Sequence, residues 1–340
     1  MATTLPEITE TIDNAFLHTW YEIRKEAIDN ILDANVVWAA LKERGCLKTQ
    51  VGGRFIDRTI KYGKATATAV QKGDILSQGE TEFETMAMWK WKYISTHVQR
   101  NAFDDQINSG PQKIKDLVDT KLTAAKDALN EKLEDDLFAA YSATAETTDK
   151  AIEGLNELLP NFANRKGGAA SADGTVTYGN ILRSNSWWQA KYKAMTTNPE
   201  VNLLGDMKNL FNTCSAHQQS PNLIITTQEW FELYEDFALD ISQIIKQEGT
   251  HLADLGYDVL QFKGKPLVWT DAAKQATTNY NQMLMLNTDF IEIVYDPNMW
   301  FAMSEWKTTP LQTDRIAHIL CACNVIGTQP RRHGRLYETA

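Results

Sequence analysis

The residues of this chain best suited to chemistry are a histidine and two cysteines near its C-terminus, His318, Cys321 and Cys323. Imidazole and thiolate groups are the usual ligands of zinc in proteins. However, the apolar run from Ile316 to Ile326 predicts a β-strand, on which residue 318 lies on the face opposite residues 321 and 323. We therefore expect small buried thiols here and no metal site.

Two groups of neighbouring carboxylates resemble the acid and base pairs of enzymes: Asp104 with Asp105, and Glu134 with Asp135 and Asp136. The side chains of adjacent residues point in different directions on a helix, so we expect these acids to be exposed to solvent and not to form a catalytic pair. The sequence contains no GxGxxG, GxxxxGK[ST], GxSxG or HExxH motif. We expect no catalytic residue, no cofactor and no bound metal.

Aromatic and basic side chains are the remaining candidates. Four of the ten tryptophans stand out as possible platforms for sugars or bases: Trp89, Trp91, Trp187 and Trp188. Burial in a core or between subunits explains them better, because tryptophan is favoured in both places. Three arginines near the C-terminus could contact phosphate or an acidic neighbour: Arg331, Arg332 and Arg335.

The composition is that of a folded globular protein. The 340 residues are 43% hydrophobic and 23% charged, and the formal net charge of −10 argues against a surface that grips nucleic acid all over. The N-terminus lacks a basic segment of the secretory type, and no apolar run approaches a membrane span. The four scattered cysteines predict reduced thiols and no disulfide framework. We expect a soluble protein made in a cytoplasm.

A long helix organises these elements. Residues 111–141 contain no internal glycine or proline, and their apolar residues recur every three or four positions. This pattern predicts a helix of roughly 46 Å at 1.5 Å per residue.

A long β-hairpin is predicted before the helix, with limbs at Phe55–Tyr62 and Glu82–Tyr93. The second limb alternates, with its apolar side formed by Phe83, Thr85, Ala87, Trp89, Trp91 and Tyr93. A lone two-stranded ribbon is marginal in water, so this one either folds back on its own core or docks on a neighbouring copy. Its cations favour docking on an acidic neighbour, and they include Arg54, Arg58, Lys61 and Lys64.

The remaining segments complete an α+β chain. Helices are predicted at 16–31 and 36–44, and another at about 229–245. That last helix packs on a sheet formed by residues 257–262, 266–270, 283–286 and 290–295. A last strand covers residues 316–326.

This order of parts resembles the major capsid proteins of tailed bacteriophages, whose shared fold is the Hong-Kong-97-type capsid fold. Similar stretches include GGRFIDRTIKYGKA, TMAMWKWKYIS, YGNILRSNSWWQAKY, PNLIITTQEWFELYEDF, MLMLNTDFIEIVYDP and RRHGRLYE. The resemblance implies an N-terminal arm (1–47), an extended loop (48–95), a spine helix with a peripheral domain (96–195), an axial domain (196–300), and a peripheral strand with the C-terminal tail (301–340).

The resemblance also implies a function. Copies would assemble into hexamers and pentamers of an icosahedral shell in the host cytoplasm, with scaffolding and portal proteins, and in some shells a cement protein, as partners. The shell would hold genomic DNA without reading its sequence, and no membrane is involved. The predicted assembly residues are Arg54, Arg58, Lys61, Lys64, Trp89, Trp91, Arg331, Arg332 and Arg335. Two alternatives are an encapsulin-like compartment and a monomeric α/β enzyme that binds a ligand.

Overall fold

A computed structural model describes residues 36–64, 67, 69–73, 82–101, 111–139, 150–160, 177–195, 199–216, 219–241, 260–273, 281–308 and 314–338. These residues form five α-helices: α1 (Val36–Glu43), α2 (Pro111–Leu137), α3 (Leu155–Leu158), α4 (Pro199–Cys214) and α5 (Gln228–Ile241). They also form sixteen strands, which build two six-stranded sheets and two short ribbons.

The first sheet is organised around its longest strand. It consists of β1 (Leu47–Thr49), β4 (Lys92–Asn101), β12 (Ile291–Tyr295), β13 (Ala302–Met303), β14 (Lys307–Thr308) and β15 (Asp314–Gly327). Strand β15 pairs with β4 along one edge and with β12, β13 and β14 along the other, all antiparallel. Strand β1 extends the sheet beyond β12 in parallel.

The second sheet has the order β7-β16-β11-β8-β10-β9. Its strands are β7 (Lys191–Met195), β8 (Leu223–Thr226), β9 (Leu260–Phe262), β10 (Lys265–Trp269), β11 (Gln282–Leu286) and β16 (Gly334–Glu338). Helix α4 packs on β7 and β16, and α5 packs on β10. Helix α5 buries Trp230, Phe231 and Tyr234 at helical spacing, which is why this amphipathic segment folds onto the sheet.

The two ribbons are the hairpin of β2 (Phe55–Lys61) with β3 (Glu84–Lys90), and the shorter pair β5 (Thr177–Tyr178) with β6 (Ile181–Leu182). The hairpin register runs from Phe55 opposite Lys90 to Lys61 opposite Glu84. The structure thus confirms the predicted hairpin in its described part, and residues 65, 66, 68 and 74–81, which come between its two strands in the sequence, lie outside the described residues.

The predicted long helix is confirmed as α2, whose 27 residues span about 40 Å. In its second half, the buried residues Leu122, Ala125, Leu129, Leu133 and Leu137 follow the helical spacing of three and four. The helix packs on β4, and the Lys121 ammonium donates a hydrogen bond to the Gln99 carbonyl at 2.9 Å.

One strand lies in a different sheet from the one predicted. The sequence pattern predicts residues 290–295 in the same sheet as residues 257–262, 266–270 and 283–286, yet β12 pairs with β15 in the first sheet. The chain turns just before β12 in a 3-10 helix, Thr288–Phe290, where the Asn287 side chain accepts a hydrogen bond from the Asp289 amide at 3.2 Å. The place in the second sheet is taken by β16, which pairs with β11 and β7.

The predicted N-terminal helix at 16–31 lies outside the described residues, as do Asp104, Asp105 and residues 242–259. Within the described part of the chain, none of the helices has the length and apolar character needed to cross a membrane.

Candidate assembly surface

The inner face of the hairpin packs on the chain's own body near its base. Ile56, Ile60, Ala87 and Trp89 are each at most 7% exposed. The Trp89 ring meets Tyr178 edge to face, with centroids 5.7 Å apart. Of the two predicted alternatives, folding back on the chain's own core therefore holds at the base of the hairpin, because the β5–β6 ribbon covers it from within the same chain.

Burial along β3 falls off away from the base, whereas Ile60 of β2, opposite Thr85, stays buried. On β3, Trp89 and Ala87 are fully buried and Thr85 is half-buried, while Phe83, two positions further on, is 47% exposed. Met86, on the opposite face, is 52% exposed. On the β3 side of the hairpin the apolar surface thus continues beyond the part of the body that covers it, which is a feature typical of a surface buried by assembly.

Three of the four predicted hairpin cations lie on the surface. Arg54 is exposed, with its guanidinium 5.2 Å from the centre of the Phe55 ring. Lys61 pairs with Glu84 at 3.2 Å, and both side chains are largely exposed. Lys64 is exposed as well. Their contact with a neighbour stays a prediction.

Arg58 is engaged within its own subunit. Its Nε donates to Glu292 Oε2 at 2.8 Å, and one Nη donates to Gln50 Oε1 at 3.3 Å. The arginine thereby joins the hairpin to β12 of the first sheet. Charge reversal at Arg58 is consequently not a clean test of docking, because it also breaks this internal ion pair.

At Trp91, the alternation of buried and exposed residues slips by one position. Trp89 is buried before it, whereas Lys92 is buried and Tyr93 is 60% exposed after it. Trp91 lies between β3 and β4, half-buried, and its indole N–H donates to the Gly53 carbonyl at 3.0 Å. The prediction that Tyr93 shares the apolar side of Trp89 is wrong, because alternation through a continuous strand cannot anticipate this break.

Of the three arginines near the C-terminus, one side chain is exposed and two are buried. Arg331 is exposed, while Arg332 is 9% and Arg335 1% exposed. Desolvation lowers the pKa of Arg335 to about 9. Trp89 and Arg335 therefore lie inside the subunit, and in this conformation neither side chain reaches a neighbour.

Helix α2 presents an acidic ridge on its exposed side. Asp127, Glu131 and Asp135 are exposed at successive spacings of four residues. Asp136, by contrast, is buried and pairs with Lys132 at 2.8 Å. The predicted solvated face is confirmed for Asp135 and wrong for Asp136. The negative charge of the ridge is complementary to the cations of the hairpin.

The cysteine pair behaves as the strand pattern predicts. Cys321 and Cys323 are buried with their Sγ atoms 3.9 Å apart, and His318 is exposed. The hydrogen bond with Cys321 and burial raise the pKa of Cys323, which disfavours the thiolate that binds metals. No group of three or more potential metal ligands occurs among the residues that the structure describes.

The sequence pattern did not predict an aromatic contact made by Tyr62, the residue directly after β2. Tyr62 stacks on Trp187 with ring centroids 4.7 Å apart and an interplanar angle of 13°. The residue type marks Trp187 as a candidate contact, but periodicity carries no signal that pairs it with a tyrosine 125 positions away in the sequence.

Several solved structures similar to this chain are described as capsids. The chain is similar to a structure described as the cyanophage A-1(L) capsid asymmetric unit, with a TM-score of 0.64 and 16% identity, over 89% of this chain and 92% of that chain. It is similar to the capsid of a native GTA particle, with a TM-score of 0.59 and 9% identity, over 89% and 90% of the two chains. For the capsid of Myoviridae phage XM1, the TM-score is 0.52 and the identity 8%, over 87% and 91%.

No protein-family model matches the chain, and no curated protein sequence does. At such low identities the structural likeness concerns the fold. It confirms the predicted α+β, Hong-Kong-97-type capsid fold.

Proposed function

We propose that this chain is the major capsid protein of a tailed bacteriophage. It is a structural subunit without catalytic activity, and its copies assemble into an icosahedral shell of hexamers and pentamers. The observation that carries the proposal is the apolar face of the hairpin, which passes from complete burial at Trp89 to 47% exposure at Phe83 on a chain with a capsid fold.

Charge complementarity supports a specific contact between copies. The exposed cations Arg54, Lys61 and Lys64 of one hairpin dock on the acidic ridge of Asp127, Glu131 and Asp135 in a neighbouring copy. Exposed ion pairs are individually weak, so these contacts set the register and direction of docking while buried apolar side chains provide most of the free energy.

The shell encloses double-stranded genomic DNA without reading its sequence. The net charge of −10 favours a weak hold on the packaged DNA, which suits a genome that must later leave. Scaffolding and portal proteins, and in some shells a cement protein, are the expected partners. Assembly takes place in the host cytoplasm and the mature location is the virion.

The five-part division into arm, extended loop, spine helix with peripheral domain, axial domain and C-terminal strand belongs to this proposal. Two strand pairings cross the predicted boundary at residue 300. Strand β12, before the boundary, pairs with β15 after it. Strand β16, after the boundary, pairs with β11 before it.

Sizing of the purified protein followed by negative-stain electron microscopy tests the proposal. We expect capsomers or closed shells, and a homogeneous monomer at high concentration would contradict it. Nuclease-protected DNA in particles from infected cells would support the phage assignment, whereas a protein cargo in place of DNA would overturn it.

A further inference from the structure

Two exposed histidines lie directly opposite each other on the first sheet. In the antiparallel pairing of β4 with β15, His97 is the partner of His318. Both side chains are exposed, whereas the flanking residues Val98, Ala317 and Ile319 are at most 3% exposed. Directly opposite residues of an antiparallel pair project from the same face, so both imidazoles stand on the solvent side of the sheet.

The backbone beneath this histidine pair is firmly held. The register of β4 and β15 runs unbroken through ten residue pairs, and the histidine pair lies near its middle. On the other side of β15, the His318 amide donates to Ser304 Oγ at 2.9 Å, and the His318 carbonyl accepts from the Ser304 amide at 2.7 Å. The sheet therefore fixes the spacing of the two histidines before any ligand binds, which reduces the entropic cost of binding.

The two imidazoles are free to bind a ligand. Within the part of the chain that the structure describes, neither ring makes a side-chain hydrogen bond, an ion pair or a ring contact. By register, Lys307 and Asp314 lie on the same face of the sheet, and their charges are opposite in sign. In its neutral form each imidazole offers one nitrogen lone pair, so the pair presents two nitrogen donors to solvent.

Two such donors suit a transition-metal ion. Imidazole is a good ligand for zinc, nickel and copper ions, and zinc–nitrogen bonds are about 2.0–2.1 Å long. Directly opposite residues of an antiparallel pair have Cβ atoms about 4.5–5.5 Å apart. Small rotations of the two side chains therefore bring one nitrogen of each ring into the coordination sphere of the same ion.

We propose that His97 and His318 form a surface site for a divalent transition-metal ion such as Zn²⁺, Ni²⁺ or Cu²⁺, held by one nitrogen of each imidazole. Water fills the remaining positions, so the ion exchanges with solvent, unlike one in a closed structural site. The proposal departs from the expectation of no bound metal, because local spacing carries no signal for two histidines 221 positions apart. The site needs only the folded subunit, so it stands or fails separately from the proposed function.

Competition with a fluorescent zinc chelator tests the proposal on the full chain, at a protein concentration too low for assembly. His97→Gln and His318→Gln each leave one imidazole of the pair. The matched control combines His97→Gln with Tyr93→His, because Tyr93 is 60% exposed on the same face of β4. This control keeps the number of histidines but moves one imidazole by four residues, about 13 Å along the strand.

We expect the wild type to bind one Zn²⁺ ion at least about tenfold more tightly than either single variant, because the second imidazole acts at a high effective concentration. The matched control should bind like His97→Gln alone. Affinities of the wild type and the single variants within about twofold of each other, or wild-type affinity in the matched control, would overturn the proposal. Thermal denaturation without metal should give midpoints within about 1 °C for all variants, which shows that the fold is retained.

A measurement on the wild type alone complements the variants. Pulsed electron paramagnetic resonance of the protein with one equivalent of Cu²⁺ counts the imidazoles bound to the ion. We expect two in the wild type and fewer in His318→Gln. A single imidazole in the wild type, or the same count in both proteins, would also overturn the proposal.

Discussion

The guanidinium of Arg335, in β16 of the second sheet, donates a hydrogen bond to the side-chain oxygen of Asn156 at 3.0 Å. The same guanidinium donates to the Leu159 carbonyl at 2.8 Å and to the Gln282 side chain. From the first sheet, Asn324 Oδ1 accepts from the Glu153 amide at 3.0 Å. The segment 150–160 is thus held by buried polar contacts to both sheets.

Arg335→Met removes the donor shared by these groups. The side chain is 1% exposed, so three acceptors lose their partner in a region closed to water. We expect a loss of about 3 kcal/mol or more in the free energy of unfolding, measured by chemical denaturation of the unassembled subunit. The exposed Arg331→Met variant serves as control and should change stability by less than about 0.5 kcal/mol.

His333 makes the fold sensitive to acid. Burial lowers the pKa of this imidazole to about 3, and its Nδ1 accepts from the Asn287 amide at 3.1 Å. In the unfolded chain the group titrates near its ordinary value of 6.5. Its contribution to stability is complete above about pH 6.5, and it declines as the pH falls from there towards 3 because only the unfolded state takes up the proton.

Between pH 7.5 and pH 5, the wild-type protein should lose about 2 kcal/mol more stability than His333→Gln, whose side chain does not titrate. Urea denaturation at the two pH values measures the difference. His97→Gln, at an exposed position, is the matched control. If the His333 variant and the wild type declined in parallel, a buried neutral imidazole would be excluded as the cause.

Gly179 permits the close fit between the hairpin and the body. A Cβ at this position would lie 2.7 Å from Trp89 Cζ2, and the backbone has φ of +59°. Gly179→Ala should therefore destabilise the subunit by about 2–4 kcal/mol, from overpacking and backbone strain together. Gly264→Ala shares the positive φ of +73° without any atom within 4 Å and should cost only about 1 kcal/mol. Equal losses for both variants would argue against the contact with Trp89.

Charge reversals separate assembly from folding. Arg54→Glu combined with Lys64→Glu should leave the thermal stability of the subunit within about 1 °C but reduce shell formation several-fold, measured by light scattering. Arg58→Glu should destabilise the subunit itself, because it places two carboxylates together, and Glu292→Arg should restore that loss. Normal assembly of the Arg54 and Lys64 double variant would refute the docking role.

The sequence predicted features that depend on local periodicity. The spacing of apolar residues in 111–137 and the alternation in 84–90 identified the long helix and the hairpin, since burial of one face imposes these periods. The same reasoning placed Cys321 and Cys323 on one buried face of β15.

Contacts between residues far apart in the sequence could not be predicted from local periodicity. Arg58 and Glu292 are 234 positions apart, and neither residue type signals a partner. Arg335 sits in a basic cluster that resembles a surface, yet three acceptors from distant segments enclose it. The alternation breaks at Trp91, whose indole N–H donates to the Gly53 carbonyl, a contact that strand periodicity cannot anticipate.

Electron microscopy of the purified protein tests the central claim most directly, namely that copies of this chain bury one another's exposed hairpin surfaces. The account predicts closed, uniform particles with five-fold and six-fold clusters of subunits. A stable, monodisperse 38.4 kDa monomer at every concentration tested would contradict it.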